Sequence, residues 1–293
     1  MDPREIITAA TNQKWIDAST DPLQKAVRSL FGGEAGRELK NFLHGTWLGH
    51  PLHPVLTDIP LGAWTVALTL DAMEGLSRRK ECGAAADLAI GVGLVGALGS
   101  AATGITDWAE TDDPARKVGL LHGLLNVAAT TLYTTALFMR KSRRSRRSGI
   151  AFSMLGFALA STAAYLGGHM VYGEQVGVDH TAAGANKPEK YKRAMAVDNL
   201  KANKPTRVEV DGVAILLVKR QDEIYALSET CPHLGGPLSE GKLVGDAIQC
   251  PWHGSQLALE DGHVVNGPTA FPARCYDVRV RAGYIEVRAV KTA

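Results

Sequence analysis

Four long apolar stretches dominate the first 175 residues of this 293-residue chain. They cover residues 55–76, 84–106, 118–139 and 150–172. Each approaches or exceeds the roughly 20 residues that a helix needs to cross a bilayer. Soluble helices of this length normally keep a charged face, which these stretches lack. The sequence therefore predicts an α-helical membrane bundle of four transmembrane helices, although the first stretch contains Asp58 and Asp71. The alternative is a large soluble helical core.

The loops between these stretches differ in charge, which predicts their orientation. The first and third loops, residues 77–80 and 140–147, are basic, whereas the second, residues 107–113, is acidic. Basic loops are retained in the cytoplasm. The chain is therefore predicted to be a multi-pass protein of the cell (plasma) membrane with both termini outside the cytoplasm. A basic run can also bind nucleic acid, but between two spans it indicates topology, so the predicted partner is membrane lipid.

The chain is predicted to divide into four parts. These are an amphipathic N-terminal segment (1–45), a four-helix transmembrane domain (46–175), a linker (176–200) and a C-terminal domain (201–293). Helical apolar spacing at Leu23, Val27 and Leu30 places the N-terminal segment on the membrane surface or on the bundle, with the surface favoured. Short strand-like runs between turns predict that the C-terminal domain is all-β.

The C-terminal domain contains two cysteine and histidine motifs. The first is Cys-x-His at 231–233 and the second is Cys-x-x-His at 250–253, with sixteen residues between them. Two thiolates, Cys231 and Cys250, can hold one iron of a [2Fe–2S] cluster, while two imidazoles, His233 and His253, hold the other. A zinc site uses the same ligand types. Zinc fingers usually space the two pairs differently, however, and do not need the glycines and prolines that frame this motif.

This stretch closely resembles the Rieske ferredoxin family over about ninety residues. The resemblance implies an antiparallel β fold with the cluster at one tip and a third loop that carries Pro268. It also matches Ser255 to a serine that donates a hydrogen bond to the cluster. Quinol-oxidising members carry a disulfide between the cluster loops, whereas the corresponding positions here are Gly236 and Trp252, as in the bridge-free ferredoxins found with oxygenases. The tyrosine expected two positions after the serine is Leu257, so we expect a reduction potential between the two groups, nearer the lower.

Four histidines near the ends of the predicted spans are candidate haem ligands. They are His50, His53, His122 and His169. The predicted topology brings them to the membrane face that carries the Rieske domain. Ionisable residues at membrane depth are costly and usually functional, and histidines from two helices suit axial ligation of haem b. A quinone head group, a divalent metal or a purely structural role are the alternatives.

One segment of the membrane part carries a second resemblance. It reads HGTWLGHPLHP at residues 44–54, followed by TDIP at 57–60. It resembles a family of small four-helix bacterial membrane proteins catalogued as domain of unknown function 2231, across about residues 40–175. The resemblance supports four spans and implies no activity.

These features predict a membrane-bound electron-transfer protein. Electrons would pass between the Rieske cluster and a haem b or quinone at the same face of the bundle, and on to a redox partner protein. The sequence leaves open a quinol oxidoreductase activity and a homo-oligomer. One alternative is a membrane-anchored Rieske ferredoxin that serves a separate oxygenase or reductase, with a purely structural bundle. Another is a redox or nitric-oxide sensor. The chain has no 2-His-1-carboxylate iron domain and no dinucleotide fingerprint, so substrate chemistry requires a partner.

Overall fold

The structure, a computed structural model, describes residues 2–77, 79–184 and 186–290. Arg78 of the first basic loop, Ala185 of the predicted linker and the last three residues of the predicted C-terminal domain lie outside the described residues. The chain separates into two compact units. The helical unit comprises Met1–Gly36 and Leu52–Val176, and the β unit comprises Arg37–Pro51 and Gly177–Ala293.

Seven α-helices occupy the described part of the chain before residue 173. They are α1 (Pro3–Thr11), α2 (Lys14–Ser29), α3 (Gly33–His44), α4 (Leu52–Ser77), α5 (Lys80–Trp108), α6 (Ala115–Arg140) and α7 (Arg146–Tyr172). In the helical unit α4 packs along α5, and α6 packs along α7. Short loops between long helices produce this arrangement, because they leave each helix antiparallel to the next.

The core of the helical unit is built on two aromatic rings. Trp64 of α4 stacks on Tyr133 of α6 with ring centroids 4.1 Å apart. Gly93 of α5 is required beside Trp64, since an added Cβ would lie 2.2 Å from the indole nitrogen. At Gly156 of α7, an added Cβ would lie 3.1 Å from the Tyr133 ring. Small residues thus allow the helices to approach closely, as is typical of packing in membranes.

A network of charged side chains joins the helices at one end of the helical unit. The guanidinium of Arg140 donates to Asp71 of α4 at 2.7 Å and to Asp87 of α5 at 3.0 Å, and also to Ser153 of α7 at 2.9 Å. The side chains of Arg140 and Asp71 are only 0% and 3% exposed. Arg146 donates to Asp87 at 2.8 Å. Buried charges of this kind are tolerated because they are paired and hydrogen-bonded.

Among the described residues, two helices are long and apolar enough to cross a membrane, namely α5 from Glu81 onward and α7. The predicted first and third spans correspond to α4 and α6, which carry more polar side chains, such as Asp58 and Asn126. The prediction of four transmembrane helices therefore stays a prediction, while the seven helices and the C-terminal β domain are observed.

The N-terminal helix α2 packs on the bundle rather than standing apart from it. Its buried residues are Ile16, Thr20, Gln24 and Val27. Gln24 donates to the carbonyl oxygens of Trp108 and Thr111, at 2.9 and 3.0 Å. The predicted apolar face of α2 is only partly buried: Leu23 and Leu30 are 45% and 76% exposed. These two bonds to carbonyls at and just after the end of α5 fix the buried face of α2, and apolar spacing cannot reveal them.

Ten strands lie in the described part of the β unit. They are β1 (Lys192–Ala196), β2 (Thr206–Val210), β3 (Val213–Arg220), β4 (Glu223–Ser228), β5 (Lys242–Val244), β6 (Ala247–Gln249), β7 (Gln256–Ala258), β8 (Val264–Asn266), β9 (Tyr276–Arg281) and β10 (Tyr284–Ala289). They form antiparallel sheets in the orders β1-β10-β9, β2-β3-β4 and β5-β6-β7-β8. Strand β1 falls within residues 176–200, predicted as a linker. Its sequence is charged and its side chains are partly exposed, so no apolar alternation marks it.

Candidate metal centre

Two loops of the β unit carry the Cys-x-His and Cys-x-x-His motifs. The first follows β4, and the second forms the turn between the paired strands β6 and β7. Each loop closes on its own cysteine: the Cys231 amide donates to the Gly236 carbonyl, and the Cys250 amide donates to the Ser255 carbonyl, both at 2.8 Å. Gly235 and Gly254 adopt positive φ angles of 81° and 78°, which glycine reaches without strain. The sequence thus folds both loops into tight cradles.

The two loops bring the four predicted ligands together as two pairs. The thiols of Cys231 and Cys250 are buried and hydrogen-bonded to each other. The rings of His233 and His253 meet edge to face with centroids 4.9 Å apart. Two sulfurs on one side and two imidazoles on the other are the donor set for the two irons of a [2Fe–2S] cluster.

One buried atom indicates that a bound group belongs at this site. Among the described residues, Nδ1 of His233 is buried and has no hydrogen-bond partner. A buried polar atom without a partner is costly, and native proteins rarely leave one. A metal ion bound at this nitrogen would satisfy it, so the residues fit the group that the motif predicts.

The protonation states of the site favour metal ligation. The hydrogen bond from Cys231, together with smaller contributions from the amides of Trp252 and His253, lowers the pKa of Cys250 to about 6 against the effect of burial. The hydrogen bond that the Cys231 thiol makes with Cys250, and then burial, raise the pKa of Cys231 well above its usual value. Burial, and then the neighbouring His253, lower the pKa of His233, which keeps that imidazole neutral. Metals bind thiolates and neutral imidazoles.

Ser255 lies beside Cys231, and the third loop, which carries Pro268, lies against Ser255. Ser255 is fully buried, and its hydroxyl is hydrogen-bonded to the sulfur of Cys231. The amide of Thr269, next to the buried Pro268, donates to Ser255 Oγ at 3.2 Å. The third loop is therefore tied directly to the second. The sequence did not reveal Asn41, whose side-chain oxygen accepts a 2.9 Å bond from the Gly267 amide.

The positions that would carry a disulfide in quinol-oxidising relatives pack against each other. A Cβ added at Gly236 would lie 2.9 Å from Cys250 Sγ and 3.0 Å from the Trp252 ring. The indole of Trp252 thus covers the backbone of Gly236 while remaining 55% exposed. The two loops are held here by an aromatic contact that leaves no space for a side chain at position 236.

The four candidate haem ligands are not all brought together. His53 of α4 and His122 of α6 meet edge to face with ring centroids 6.3 Å apart. His169 instead lies 3.4 Å from Glu174 through Nε2. His50 precedes α4, belongs to the β unit, and is exposed with Nδ1 3.1 Å from the Pro51 carbonyl. Only two of the four candidates therefore form a pair within the described residues.

Two family models match the chain. A Rieske [2Fe-2S] domain model matches residues 190–277, and a model described as predicted membrane protein (DUF2231) matches residues 49–180. Both families are those that the sequence resembles, and together they account for most of the polypeptide.

Individual relatives match the Rieske part alone. Ferredoxin CarAc of Metapseudomonas resinovorans is 34% identical over 100 residues, covering 34% of this chain and 94% of the ferredoxin. The 3-phenylpropionate/cinnamic acid dioxygenase ferredoxin subunit of Escherichia coli is 31% identical, covering 31% of this chain and 87% of the subunit. A solved structure, the ferredoxin of carbazole 1,9a-dioxygenase from Nocardioides aromaticivorans, shares 31% identity over 34% of this chain and 99% of that chain, with a TM-score of 0.33.

Other relatives are much longer than the matched region. The chain covers only 16% of the length of apoptosis-inducing factor 3 from mouse and human, at 32% and 33% identity and over 33% of this chain. The chain belongs to the Rieske [2Fe-2S] family and carries, in the same polypeptide, a DUF2231 membrane-protein domain.

Proposed function

We propose that this protein is a membrane-bound electron carrier that exchanges electrons between a Rieske centre and a redox group, haem b or quinone, in its helical unit. The observation that carries the proposal is the pair of buried thiols beside the pair of imidazoles, with Nδ1 of His233 buried and lacking a hydrogen-bond partner. In this proposal Cys231 and Cys250 hold one iron, and His233 and His253 hold the other. When bound, the cluster would supply one-electron transfer.

The residues around the site adjust the reduction potential. The Ser255 hydroxyl donates to the Cys231 sulfur, and hydrogen bonds to ligand sulfur raise the potential. Position 257 is a buried leucine, which has no hydroxyl to donate. No disulfide constrains the loops, since Gly236 and Trp252 occupy its positions. The site thus keeps the hydrogen bond from the serine but lacks the one that a tyrosine at position 257 would make. This difference supports a reduction potential between those of the quinol-oxidising proteins and the ferredoxins.

The exposed surface of the helical unit supports four membrane spans. Leu88, Val95 and Leu98 of α5 are 71%, 73% and 69% exposed. The other three long helices also carry exposed large apolar side chains. These are Val66 and Met73 of α4, Val127 and Phe138 of α6, and Met154 and Leu155 of α7. Soluble proteins rarely expose so large an apolar area, and lipid would cover it.

The ends of the helices support an orientation with the Rieske domain outside the cytoplasm. The α6–α7 loop exposes Arg143 and Arg144, and Arg147 is exposed at the start of α7, whereas the α5–α6 loop exposes Asp112 and Asp113. Retention of the basic loop in the cytoplasm would leave the acidic loop, and with it the start of α4 and the end of α7, on the opposite side of the membrane.

Cysteine labelling tests this orientation. In a Cys82→Ser, Cys275→Ser background, Asp112→Cys is expected to react with a membrane-impermeant maleimide in intact cells, and Arg144→Cys only after lysis. The reverse pattern would invert the orientation, and labelling of both in intact cells would contradict a spanning bundle.

The comparisons favour one second candidate function. Two relatives that match the Rieske part over most of their length are a ferredoxin and a dioxygenase ferredoxin subunit. In this version the protein is a membrane-anchored Rieske ferredoxin that donates electrons to a separate oxygenase, and the helical unit only anchors it.

One preparation separates the two candidates. The full chain is purified in detergent, and its iron, acid-labile sulfide, visible spectrum and EPR spectrum are measured. Both candidates require two non-haem irons per chain and, after reduction, a rhombic EPR signal with low g values. A Soret band, or quinone extracted with the protein, would support the leading candidate. Full cluster content without either would support the anchored ferredoxin. Zinc in place of iron would overturn both.

A further inference from the structure

In the helical unit, backbone carbonyls determine that Nδ1 of each histidine of the pair carries a hydrogen. Nδ1 of His53 lies 2.9 Å from the carbonyl oxygen of Ser100 on α5, and Nδ1 of His122 lies 2.8 Å from that of Ala163 on α7. A carbonyl oxygen can only accept, so each Nδ1 carries the hydrogen and donates it. When either ring is neutral, its lone pair is therefore on Nε2.

Asn126 provides independent support for this state of His122. Its Nδ2 lies 3.0 Å from the carbonyl oxygen of His122, which fixes this atom as the donating nitrogen. The same Nδ2 lies 3.1 Å from His122 Nε2. The amide thus donates to Nε2, which must be an acceptor. Histidines that ligate metals almost always donate their other ring nitrogen to a carbonyl or carboxylate.

Glycines support both rings and leave space beside them. A Cβ added at Gly104 would lie 2.7 Å from the His53 ring, and one at Gly167 would lie 3.2 Å from the His122 ring. These glycines allow close contact behind each imidazole. At Gly123, next to His122, an added Cβ would meet no described atom within 4 Å. The 6.3 Å between ring centroids leaves room for one metal centre, given about 2 Å for each metal–nitrogen bond.

We infer that His53 and His122 are the two axial ligands of a haem, which identifies the redox group of the helical unit and rests on the proposed function. A quinone oxygen needs a donor, whereas the Nε2 atoms are acceptors. A bare metal ion normally has three or more protein ligands. A haem needs only two axial ligands from the protein. His50 and His169 are not ligands in this assignment.

The test uses the full chain, expressed with a haem precursor and purified in detergent. Haem per chain is measured by pyridine haemochrome assay, and the reduced EPR signal of the cluster reports folding. The variants are His53→Ala and His122→Ala, with His50→Ala and His169→Ala as matched controls. Loss of an outer hydrogen-bond partner already lowers metal affinity by about 10–100-fold, so loss of a ligand should lower haem content by roughly tenfold or more.

A conservative variant separates ligation from packing. In His53→Met the thioether can replace the imidazole as axial ligand, so haem is retained with a raised reduction potential. Haem loss in both alanine variants, with the cluster signal intact and both controls unchanged, supports the assignment.

Two outcomes overturn the assignment while leaving the electron carrier in place. One is a wild-type protein with a full cluster and no haem, which would make the pair a structural contact between helices. The other is haem that survives both alanine substitutions or is lost in a control variant. Absence of the cluster signal from the wild type would instead overturn the proposed function. Failure of the haem assignment and failure of the proposed function are therefore distinguishable.

Discussion

The β unit and the helical unit each bring two imidazoles together, but they present opposite ring nitrogens. In the β unit, Nδ1 of His233 is buried and has no hydrogen-bond partner among the described residues. In the helical unit, Nδ1 of His53 and of His122 donates to a backbone carbonyl, which leaves Nε2. The surrounding backbone therefore decides which nitrogen a histidine can offer. Residue type alone does not define a ligand.

The two units also bury polar groups for different purposes. The protein is a Rieske electron carrier, and its β unit buries thiols that gain by binding a metal. The helical unit buries Arg140 and Asp71, which satisfy each other. Substitutions in one unit should therefore leave the other largely unaffected, and four variants test this expectation.

The largest effect is expected from Cys250→Ser. A hydroxyl is a poor ligand for iron in this setting, so the cluster should not assemble. Iron content and the reduced EPR signal are expected to fall almost to zero, while helical circular dichroism stays unchanged. Cys275→Ser is the matched control, since Cys275 is half-buried outside both loops. A Cys250→Ser variant with a normal cluster signal would refute the ligand assignment.

Arg140→Ala should destabilise the helical unit strongly. Removal of one partner from a buried ion pair typically costs about 3–5 kcal/mol, because the remaining charge is left unpaired. Thermal unfolding followed by circular dichroism in detergent should show a large decrease in Tm. The cluster absorbance at low temperature should persist. Arg144→Ala, on the exposed loop, should change the free energy of unfolding by less than about 0.5 kcal/mol. Equal effects of the two variants would mean that the pair contributes little.

Gly236→Ala should weaken the contact between the cluster loops. The added methyl group would meet both Cys250 Sγ and the Trp252 ring, and overpacking of this kind costs about 1–3 kcal/mol. Denaturant unfolding followed at the cluster absorbance measures the effect. Addition of Trp252→Ala removes one of the two obstacles and should recover part of the loss. No recovery in the double variant would show that the sulfur alone limits the space.

The smallest effect is expected from Ser255→Ala. Loss of one hydrogen bond to a ligand sulfur lowers the reduction potential. At about 1 kcal/mol for the bond, the shift is on the order of 50 mV for a one-electron couple. Protein-film voltammetry measures it. Ser239→Ala is the control, since Ser239 donates to Glu229 and not to a thiol. An unchanged reduction potential in Ser255→Ala would show that the serine does not influence the cluster.

The sequence predicted those parts of the molecule that depend on local patterns. The four apolar stretches correspond to α4–α7, and the two short cysteine and histidine motifs lie together in the structure. Both signals are contained in a few neighbouring residues. The Rieske resemblance and the DUF2231 resemblance are confirmed for the same reason.

Contacts between distant residues could not be predicted in this way. Asn41 and Gly267 are 226 positions apart, and nothing local relates them. The choice of His53 and His122 over His50 and His169 depends on where α4 begins and on how α4 and α6 are rotated. The sequence did not predict strand β1, because its residues show no apolar alternation and the strand forms by pairing with the distant β10.

The pairing of Arg140 with Asp71 has a consequence for how the protein is made. In the four-span arrangement, Arg140 is the last residue of α6 and lies at the membrane boundary, whereas Asp71 lies within the span formed by α4. An ionised carboxylate within a span is costly unless it is paired. Helix α4 therefore reaches its full stability in the bilayer only when α6, which is synthesised later, supplies Arg140.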